Sequence, residues 1–317
     1  MREQLEGLNS LTINFGEGGM IIVNIILAFV MFGVALGIKL ETFKDVFKNP
    51  KSVLTGVFLQ WVALPAVTFL VALLLSPVIT PMVALGMILV ASCPGGNISN
   101  FMSSLSKGNV ELSVSMTALT TALAPVITPL NFFLWGTLYS KMITIHGDIP
   151  TLIIPFWPML EQILLLLGVP IALGLLFSRY FPNATKRISR PSQMLSIILF
   201  LGMVIVSFSQ NFQLFIDNLF YIVIIVFIHN GFALATGYFG GTLAKVSVRD
   251  RRSLTVETGI QNSGLGLILL FNAAIFPPEI WHGHYGGMLI ITAWWGIWHI
   301  ISGLAISFLF RRTPLNE

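Results

Sequence analysis

Nine apolar stretches, each about as long as a bilayer-spanning helix, occupy most of this chain. A helix that crosses the hydrocarbon core of a membrane needs about 20 apolar residues. Strands of a membrane barrel are about ten residues long and alternate in polarity, whereas these stretches are longer and uniformly apolar. The predicted spans are residues 20–38, 52–75, 81–106, 109–138, 159–180, 194–215, 218–244, 253–276 and 285–310. We therefore expect an all-α membrane protein with nine transmembrane helices.

The composition excludes a water-soluble protein. Only 9% of the 317 residues are charged and 55% are hydrophobic, whereas soluble domains average about 25% charged residues. The net charge of +4 comes from loop lysines and arginines, so we expect no nucleic-acid partner. The single cysteine, Cys93, excludes an intramolecular disulfide, and no Cys/His cluster indicates zinc. The first 19 residues lack the basic start of a signal peptide.

Lysines and arginines alternate between the regions that flank the predicted spans. Fifteen of the 17 lie in even-numbered regions, and only Arg2 and Lys141 lie in odd-numbered ones. Basic residues concentrate on the cytoplasmic side of membrane proteins. We therefore expect the N-terminus outside and the C-terminus inside, in the plasma (inner) membrane. A wrong span count would scramble this alternation, so it also supports nine spans.

Two of the predicted spans carry polar interruptions. Residues 92–100 read SCPGGNISN in the third span, and residues 257–264 read ETGIQNSG in the eighth. Proline removes a backbone donor and glycine weakens a helix. At about 1.5 Å per residue, both interruptions lie about 8–18 Å from the cytoplasmic edge. A single Pro-Gly pair indicates an ordinary kink, but two polar breaks at one depth predict discontinuous helices that cross.

The order of the spans suggests an internal repeat. Spans two to four and spans seven to nine each contain one interrupted helix, and corresponding members of the two sets are offset by five spans. An odd offset places the second set upside down, as in the inverted repeats of secondary transporters. We therefore expect an inverted repeat whose two broken helices meet near the middle of the membrane.

Glu257 is the acidic residue that lies well inside a predicted span, away from its ends. An ionisable group at that depth costs a few kcal/mol and is a functional candidate by default. From the residues alone, it is protonated, relays protons or binds a cation. Oxygen-bearing side chains from several spans accompany it: Gln60, Ser99, Asn100, Ser113, Thr117 and Gln261. One carboxylate among neutral oxygens suits a monovalent cation, because divalent ions usually require more charge.

Three further residues inside the spans carry alternative interpretations. His229 and His299 are either proton sites or neutral histidines hydrogen-bonded between helices. Cys93 is either a small buried residue or a ligand for a soft metalloid at the helix break.

The two interrupted motifs resemble those of the bile acid:sodium symporter family. They are Cys93-Pro94-Gly95-Gly96 followed by Ser99-Asn100, and Glu257-x-Gly259-x-Gln261-Asn262-Ser263-Gly264. The resemblance extends from about Ile21 to Phe310 and is to the nine-helix members. It implies one transmembrane unit over residues 1–317, with a panel part at about 20–38 and 159–215. The core part, at about 52–138 and 218–310, would contain the crossing helices.

The resemblance also implies two sodium ions as the coupling ions. The first site would use Ser99, Asn100, Ser113, Thr117 and Glu257. The second would use Gln60, Glu257, Gln261 and the backbone oxygens of Thr258 and Ile260. Every one of these side-chain positions carries an oxygen in this chain.

The family transports organic anions such as bile acids, steroid sulfates and pantoate. Half-helices that begin after each break point positive dipole ends and free N–H groups towards such an anion. The candidate substrate contacts are Asn97, Ile98, Asn262, Ser263 and Gly264. One departure concerns Ile300, which follows Trp298-His299 where some bacterial members have asparagine, so one expected substrate contact is missing.

The sequence therefore predicts a sodium-coupled symporter for an amphipathic organic anion, working by alternating access. We expect membrane lipids around it and no obligate protein partner. A proton-coupled carrier remains open, as does an arsenite-type exporter using Cys93 and Glu257. An intramembrane enzyme would use Glu257 or His299 as acid or base, but no nucleophile–base pair has a recognisable spacing. A ligand sensor would need an output domain, and the loops are short.

Overall fold

The computed structural model describes residues 1–10, 16–38, 50–145, 154, 156–209, 212–272, 275–276 and 285–315. Within these ranges every regular element is helical, apart from one isolated β-bridge. The helices are α1 (Arg2–Glu6), α2 (Gly16–Leu36), α3 (Pro50–Leu75), α4 (Pro81–Ser92), α5 (Ile98–Leu105), α6 (Val110–Ile145), α7 (Phe156–Tyr180), α8 (Pro182–Ser209), α9 (Phe212–Leu243), α10 (Val248–Gly259), α11 (Ser263–Leu270) and α12 (Gly286–Arg312).

Five of the described helices are long and apolar enough to cross a membrane, namely α3, α6, α7, α9 and α12. Two shorter apolar helices accompany them, Asn24–Leu36 within α2 and Pro81–Ser92. The chain is therefore an integral, multi-pass membrane protein, as its composition predicts. The total of nine spans stays a prediction.

Several helix boundaries differ from the predicted spans. The predicted span 194–215 runs past the end of α8 at Ser209 into α9, which begins at Phe212, although residues 207–213 read SFSQNFQ and are rich in polar side chains. The predicted span 109–138 stops short, since α6 continues to Ile145. The predicted span 253–276 begins too late. Ser247 caps α10 by accepting the Asp250 N–H at 3.1 Å, so the charged first turn is helical.

Helix α3 contains a π-helical turn at Leu59–Ala63. Pro65 has no N–H to donate to the Trp61 carbonyl four residues earlier. The side-chain amide of Asn131 on α6 donates to that carbonyl instead, at 3.0 Å. Such bulges are often found at functional sites, and this one contains the buried Gln60.

The two interrupted spans have the same construction. A 12-residue helix precedes an 8-residue helix in both, α4 before α5 and α10 before α11. Helix α4 is buried from Met82 to Ser92 and packs against α12, as expected for a helix that is apolar on all sides. The equal lengths agree with an inverted repeat, which stays a prediction.

Polar groups at one end of the bundle tie the helices around the second break together. Asp250, at the start of α10, accepts from Ser52 Oγ on α3 and from Asn109 Nδ2 just before α6, both at 2.7 Å. Arg252 donates to the Ser106 carbonyl at 2.9 Å, and Lys51 donates to the Lys245 carbonyl at 3.1 Å. Residues in or beside three even-numbered flanking regions, the second, fourth and eighth, therefore lie at the same end.

Asp250→Ala is expected to lower the free energy of unfolding by about 3 kcal/mol, because hydrogen bonds to charged groups contribute about 1.5–3 kcal/mol each. Denaturant unfolding of the purified protein measures this. Asp217→Ala is the matched control, because Asp217 is exposed and accepts a bond from Gln213 within its own helix, α9. Its effect should stay within about 0.5 kcal/mol. Equal effects of the two variants would contradict the role of Asp250.

Candidate functional site

The two helix breaks are joined through their main chains. Gly95 and Gln261 form an antiparallel bridge. The Gly96 N–H donates to the Ile260 carbonyl at 2.8 Å, and the Asn262 N–H donates to the Pro94 carbonyl at 2.8 Å. These bonds satisfy backbone groups that have left their helices and would otherwise be buried without partners. The breaks predicted to lie at one depth therefore cross in contact.

Glycines allow this close approach. A Cβ at position 95 would collide with the Glu257 carboxylate. A Cβ at position 96 would lie 3.2 Å from the Gln261 carbonyl oxygen, tighter than an ordinary van der Waals contact. The crossing therefore leaves no free space for a side chain at position 95 and little at position 96.

Glu257 lies in the last turn of α10, fully buried beside the crossing. Its Oε2 accepts from Ser99 Oγ at 2.5 Å and from Ser113 Oγ at 2.9 Å. Its Oε1 accepts from Thr117 Oγ1 at 2.6 Å. The carboxylate is therefore held by hydroxyls from α5 and α6.

Asn100 completes this first cluster. Its Oδ1 lies 2.9 Å from Ser113 Oγ and 3.4 Å from Thr117 Oγ1. Each hydroxyl has one proton, so Ser113 and Thr117 cannot each donate to both Asn100 and Glu257. The structure thus brings together all five residues of the first predicted ion site, with more oxygen acceptors than protons to fill them. Within the described ranges, no basic group forms an ion pair with Glu257.

A second cluster surrounds two buried glutamines. Gln60 Nε2 donates to Gln261 Oε1 at 2.5 Å and to the Cys93 carbonyl at 3.2 Å. Gln261 Nε2 donates to the Thr258 carbonyl at 2.7 Å. These bonds place Gln60, Gln261 and Thr258 together, and Ile260 is held there through Gly96.

Two oxygens of the second cluster are buried without a hydrogen-bond partner among the described residues, Gln60 Oε1 and Thr258 Oγ1. Leaving such a group unpaired costs about 1–3 kcal/mol. A hard cation is coordinated by oxygen ligands of this kind. The donor set is neutral apart from Glu257 in the adjacent turn, so its chemistry fits a monovalent ion.

The predicted substrate contacts lie at the starts of the two short half-helices. Asn97 precedes α5, is exposed, and makes no capping bond with its side chain. Asn262 precedes α11 and caps it, because its Oδ1 accepts the Leu265 N–H at 3.1 Å. Ser263 is buried, whereas Ile98 and Gly264 are half-buried. These residues flank the crossing, although Asn262 is already used by its own helix.

The structure also places the other residues that the sequence singles out. His229 Nε2 lies 2.9 Å from Thr68 Oγ1, so this histidine joins α9 to α3. His299 is buried on α12, and the Cys93 thiol is buried within the apolar core. Ile300 is 37% exposed. Neither histidine contacts the Glu257 cluster through a described hydrogen bond.

Sequence reasoning missed two parts of the site. The Cys93 carbonyl accepts from Gln60, a main-chain role that no side-chain pattern reveals. Asn230 donates from its Nδ2 to the Gly259 carbonyl at 2.8 Å, at the end of α10. The polar pair His229-Asn230 inside an apolar span is the sequence signal for this residue.

Comparison with known proteins identifies relatives over most of the chain. The model of the Sodium Bile acid symporter family matches residues 24–218. The uncharacterized sodium-dependent transporter YocS of Bacillus subtilis (strain 168) is 31% identical over 281 residues, which cover 86% of this chain and 82% of YocS. The ileal sodium/bile acid cotransporter of Oryctolagus cuniculus is 27% identical over 245 residues, covering 77% of this chain and 67% of that protein.

The P3 protein of Homo sapiens is 30% identical over 233 residues. The match covers 74% of this chain but 47% of P3, so this chain corresponds to about half of that longer protein. Two of these three relatives are named as a sodium-dependent transporter or cotransporter, and none is named as an enzyme. Since the family match covers more than half of the sequence, the chain belongs to the sodium bile acid symporter family, whose members are sodium-dependent membrane transporters.

Proposed function

We propose that this protein couples the inward movement of sodium to that of an amphipathic organic anion. The observation that carries the proposal is Glu257, a fully buried carboxylate at the crossing of two broken helices. Burying an unpaired charge costs several kcal/mol, and the groups around this one are neutral hydroxyls. A sodium ion bound beside it supplies the missing positive charge.

Two ions fit the two oxygen clusters. The first would lie among Ser99, Asn100, Ser113, Thr117 and Glu257, which already contact one another. The second would lie beside Glu257 among Gln60, Gln261 and the oxygens of Thr258 and Ile260, where two buried oxygens lack partners. Both clusters hold the crossing, so binding of the ions would order it.

The anion site would lie at the starts of α5 and α11, beside the ordered crossing. Helix N-termini attract negative groups through their free N–H groups and dipoles. Asn97 is the best-placed side chain there, since it is exposed and not used as a cap, with Ile98, Asn262, Ser263 and Gly264 around it. The substrate class would be a bile acid, a steroid sulfate or a smaller carboxylate such as pantoate. The bile acid named for the ileal relative supports this choice.

Transport would proceed by alternating access in the plasma membrane. The core part (52–138 and 218–310), carrying both ion sites, would move against the panel part (20–38 and 159–215), with the N-terminus outside. Helix α2 packs against α7 and α8, which supports grouping these three helices as the panel. Two sodium ions with one monoanion would carry one net positive charge inward.

Uptake into proteoliposomes is the test. With a sodium gradient, uptake of radiolabelled taurocholate, a steroid sulfate or pantoate should exceed uptake in choline by about tenfold or more. An inside-negative potential should increase it further, because the cycle moves net charge. Equal uptake in choline would contradict sodium coupling, and dependence on a pH gradient instead would identify a proton-coupled carrier. Cys93→Ala should transport normally, whereas an arsenite-type exporter would fail.

A further inference from the structure

We propose that Asn230 is a positioning residue for the second sodium site, holding the carbonyl groups at the end of α10 in the orientation that the ion requires. This proposal rests on the proposed function. Asn230 lies inside α9 and is 1% exposed, and it belongs to none of the motifs that define the two ion sites.

The end of α10 leaves carbonyl groups without helical partners, as every helix end does. Three successive carbonyl groups here accept hydrogen bonds from donors that are not part of the main-chain hydrogen bonds of α10. The Thr258 carbonyl accepts from Gln261 Nε2 at 2.7 Å, the Gly259 carbonyl from Asn230 Nδ2 at 2.8 Å, and the Ile260 carbonyl from the Gly96 N–H at 2.8 Å. A carbonyl oxygen has two lone pairs, so each can hold one donor and still face an ion.

Of these three donors, Asn230 comes from outside the crossing itself. Helix α9 reaches α10 because small residues separate them: a Cβ at Gly237 would lie 2.6 Å from the Leu254 carbonyl oxygen. The backbones of the two helices therefore approach each other closely at Gly237. The packing of α9 against α10, and not a loop, therefore holds Asn230 beside the Gly259 carbonyl.

His229, the residue before Asn230, links α9 to α3. Adjacent helical residues project about 100° apart, and His229 accordingly contacts a different neighbour, Thr68 Oγ1, at 2.9 Å. Its ring also packs against Trp295, with centroids 4.6 Å apart. Thr68 lies on α3, the helix that carries Gln60. The pair therefore fixes α9 to both helices that supply side chains to the second cluster.

A separate observation points to a ligand. Asn230 Oδ1 is buried without a hydrogen-bond partner among the described residues, as are Gln60 Oε1 and Thr258 Oγ1. Leaving each of these oxygens unpaired is costly. Thr258 is adjacent in the chain to Gly259, whose carbonyl Asn230 holds, so an ion at this end of α10, or a water that it binds, would supply the missing partners. A purely structural asparagine would be expected to use its oxygen as well as its nitrogen.

The test is a sodium titration of the melting temperature, with potassium replacing sodium at constant ionic strength. Asn230→Leu removes the donor at similar volume. We expect its half-saturating sodium concentration to rise about tenfold, equivalent to about 1.4 kcal/mol. Thr236→Val on the same helix is the matched control, because Thr236 donates only to the Phe232 carbonyl of α9. Its half-saturating concentration should match that of the wild type.

The outcomes separate this proposal from the proposed function. A lower melting temperature in both salts, with unchanged half-saturation, would show that Asn230 is merely structural and overturn the inference. If Asn230→Leu does not fold, the half-saturating sodium concentration is measured for Asn230→Ser, which keeps a shorter donor. An unchanged value there would likewise overturn the inference. Sodium stabilisation of the wild type with unaffected Asn230 variants contradicts this inference alone. A wild type that sodium does not stabilise contradicts the sodium sites themselves.

Discussion

Glu257→Gln is expected to reduce sodium-driven uptake by about 100-fold or more while leaving the protein folded. Glutamine has the shape of glutamate and keeps an oxygen that the hydroxyls of Ser99 and Ser113 can donate to. It removes the negative charge that both proposed ion sites share. Losing one charged contact of about 1.5–3 kcal/mol at each ion corresponds to a factor of ten to a hundred per ion.

The thermal stability of the same variant, relative to the wild type, is expected to depend on which cation is present. In potassium, Glu257→Gln should be at least as stable as the wild type, because a neutral amide is cheaper to bury than an uncompensated carboxylate. In sodium at 100 times its dissociation constant, the wild type should gain about 2.7 kcal/mol per site, and the variant, which binds ten- to a hundredfold more weakly, only about 0.4–1.4 kcal/mol per site. Thermal unfolding in both salts measures this difference.

Glu111→Gln is the matched control for this pair of measurements. Glu111 is exposed in the first turn of α6, the helix that also carries Ser113 and Thr117. Its replacement should change neither uptake nor the stabilisation by sodium. If sodium stabilised Glu257→Gln as strongly as the wild type, the ion would have to bind elsewhere.

Gly95→Ala is expected to abolish transport and to destabilise the protein by about 1–3 kcal/mol, the usual cost of overpacking a filled interior. The added methyl group would occupy the space of the Glu257 carboxylate. Either the carboxylate moves away from its three hydroxyls or the main-chain bridge to Gln261 opens. Uptake and thermal unfolding in potassium measure the two effects separately.

Gly231→Ala provides the contrast. Nothing lies within 4 Å of a Cβ at that position in α9, so alanine should be neutral or stabilise the helix by about 0.5–1 kcal/mol. Full transport in Gly95→Ala would show that the close approach at the crossing is not required for function.

Most of the site could be predicted because its residues are polar in apolar surroundings. The interruptions around Gly95 and Gln261 are visible as small and polar residues within long apolar stretches. Glu257 is conspicuous for the same reason, since carboxylates are rare at such depth. The distance of each interruption from Lys107 and Arg252 then placed both at one level, and the main-chain bridge agrees with that estimate.

Features that depend on tertiary contacts could not be predicted. Asn97 and Asn262 look equivalent in sequence, yet only Asn262 turns its side chain back to cap its helix. Whether Asn230 reaches the Gly259 carbonyl depends on how closely α9 and α10 pack. The glycines of α9 permit close packing, but their presence in the sequence does not specify it.

The crossing has a consequence for how the protein is made. Ser99 and Glu257 are 158 positions apart in the chain, so the first broken helix enters the membrane long before its partner exists. At about 5–20 residues per second, ribosomes need roughly 10–30 s to complete the interval. During that time the Gly96 amide and the Pro94 carbonyl lack their hydrogen-bond partners, and the lipid hydrocarbon supplies none. The nascent chain must therefore shelter this break, in the insertion machinery or against its own early helices, until the second break arrives. Synthesis of α10 and α11 is thus the step at which the crossing can first form.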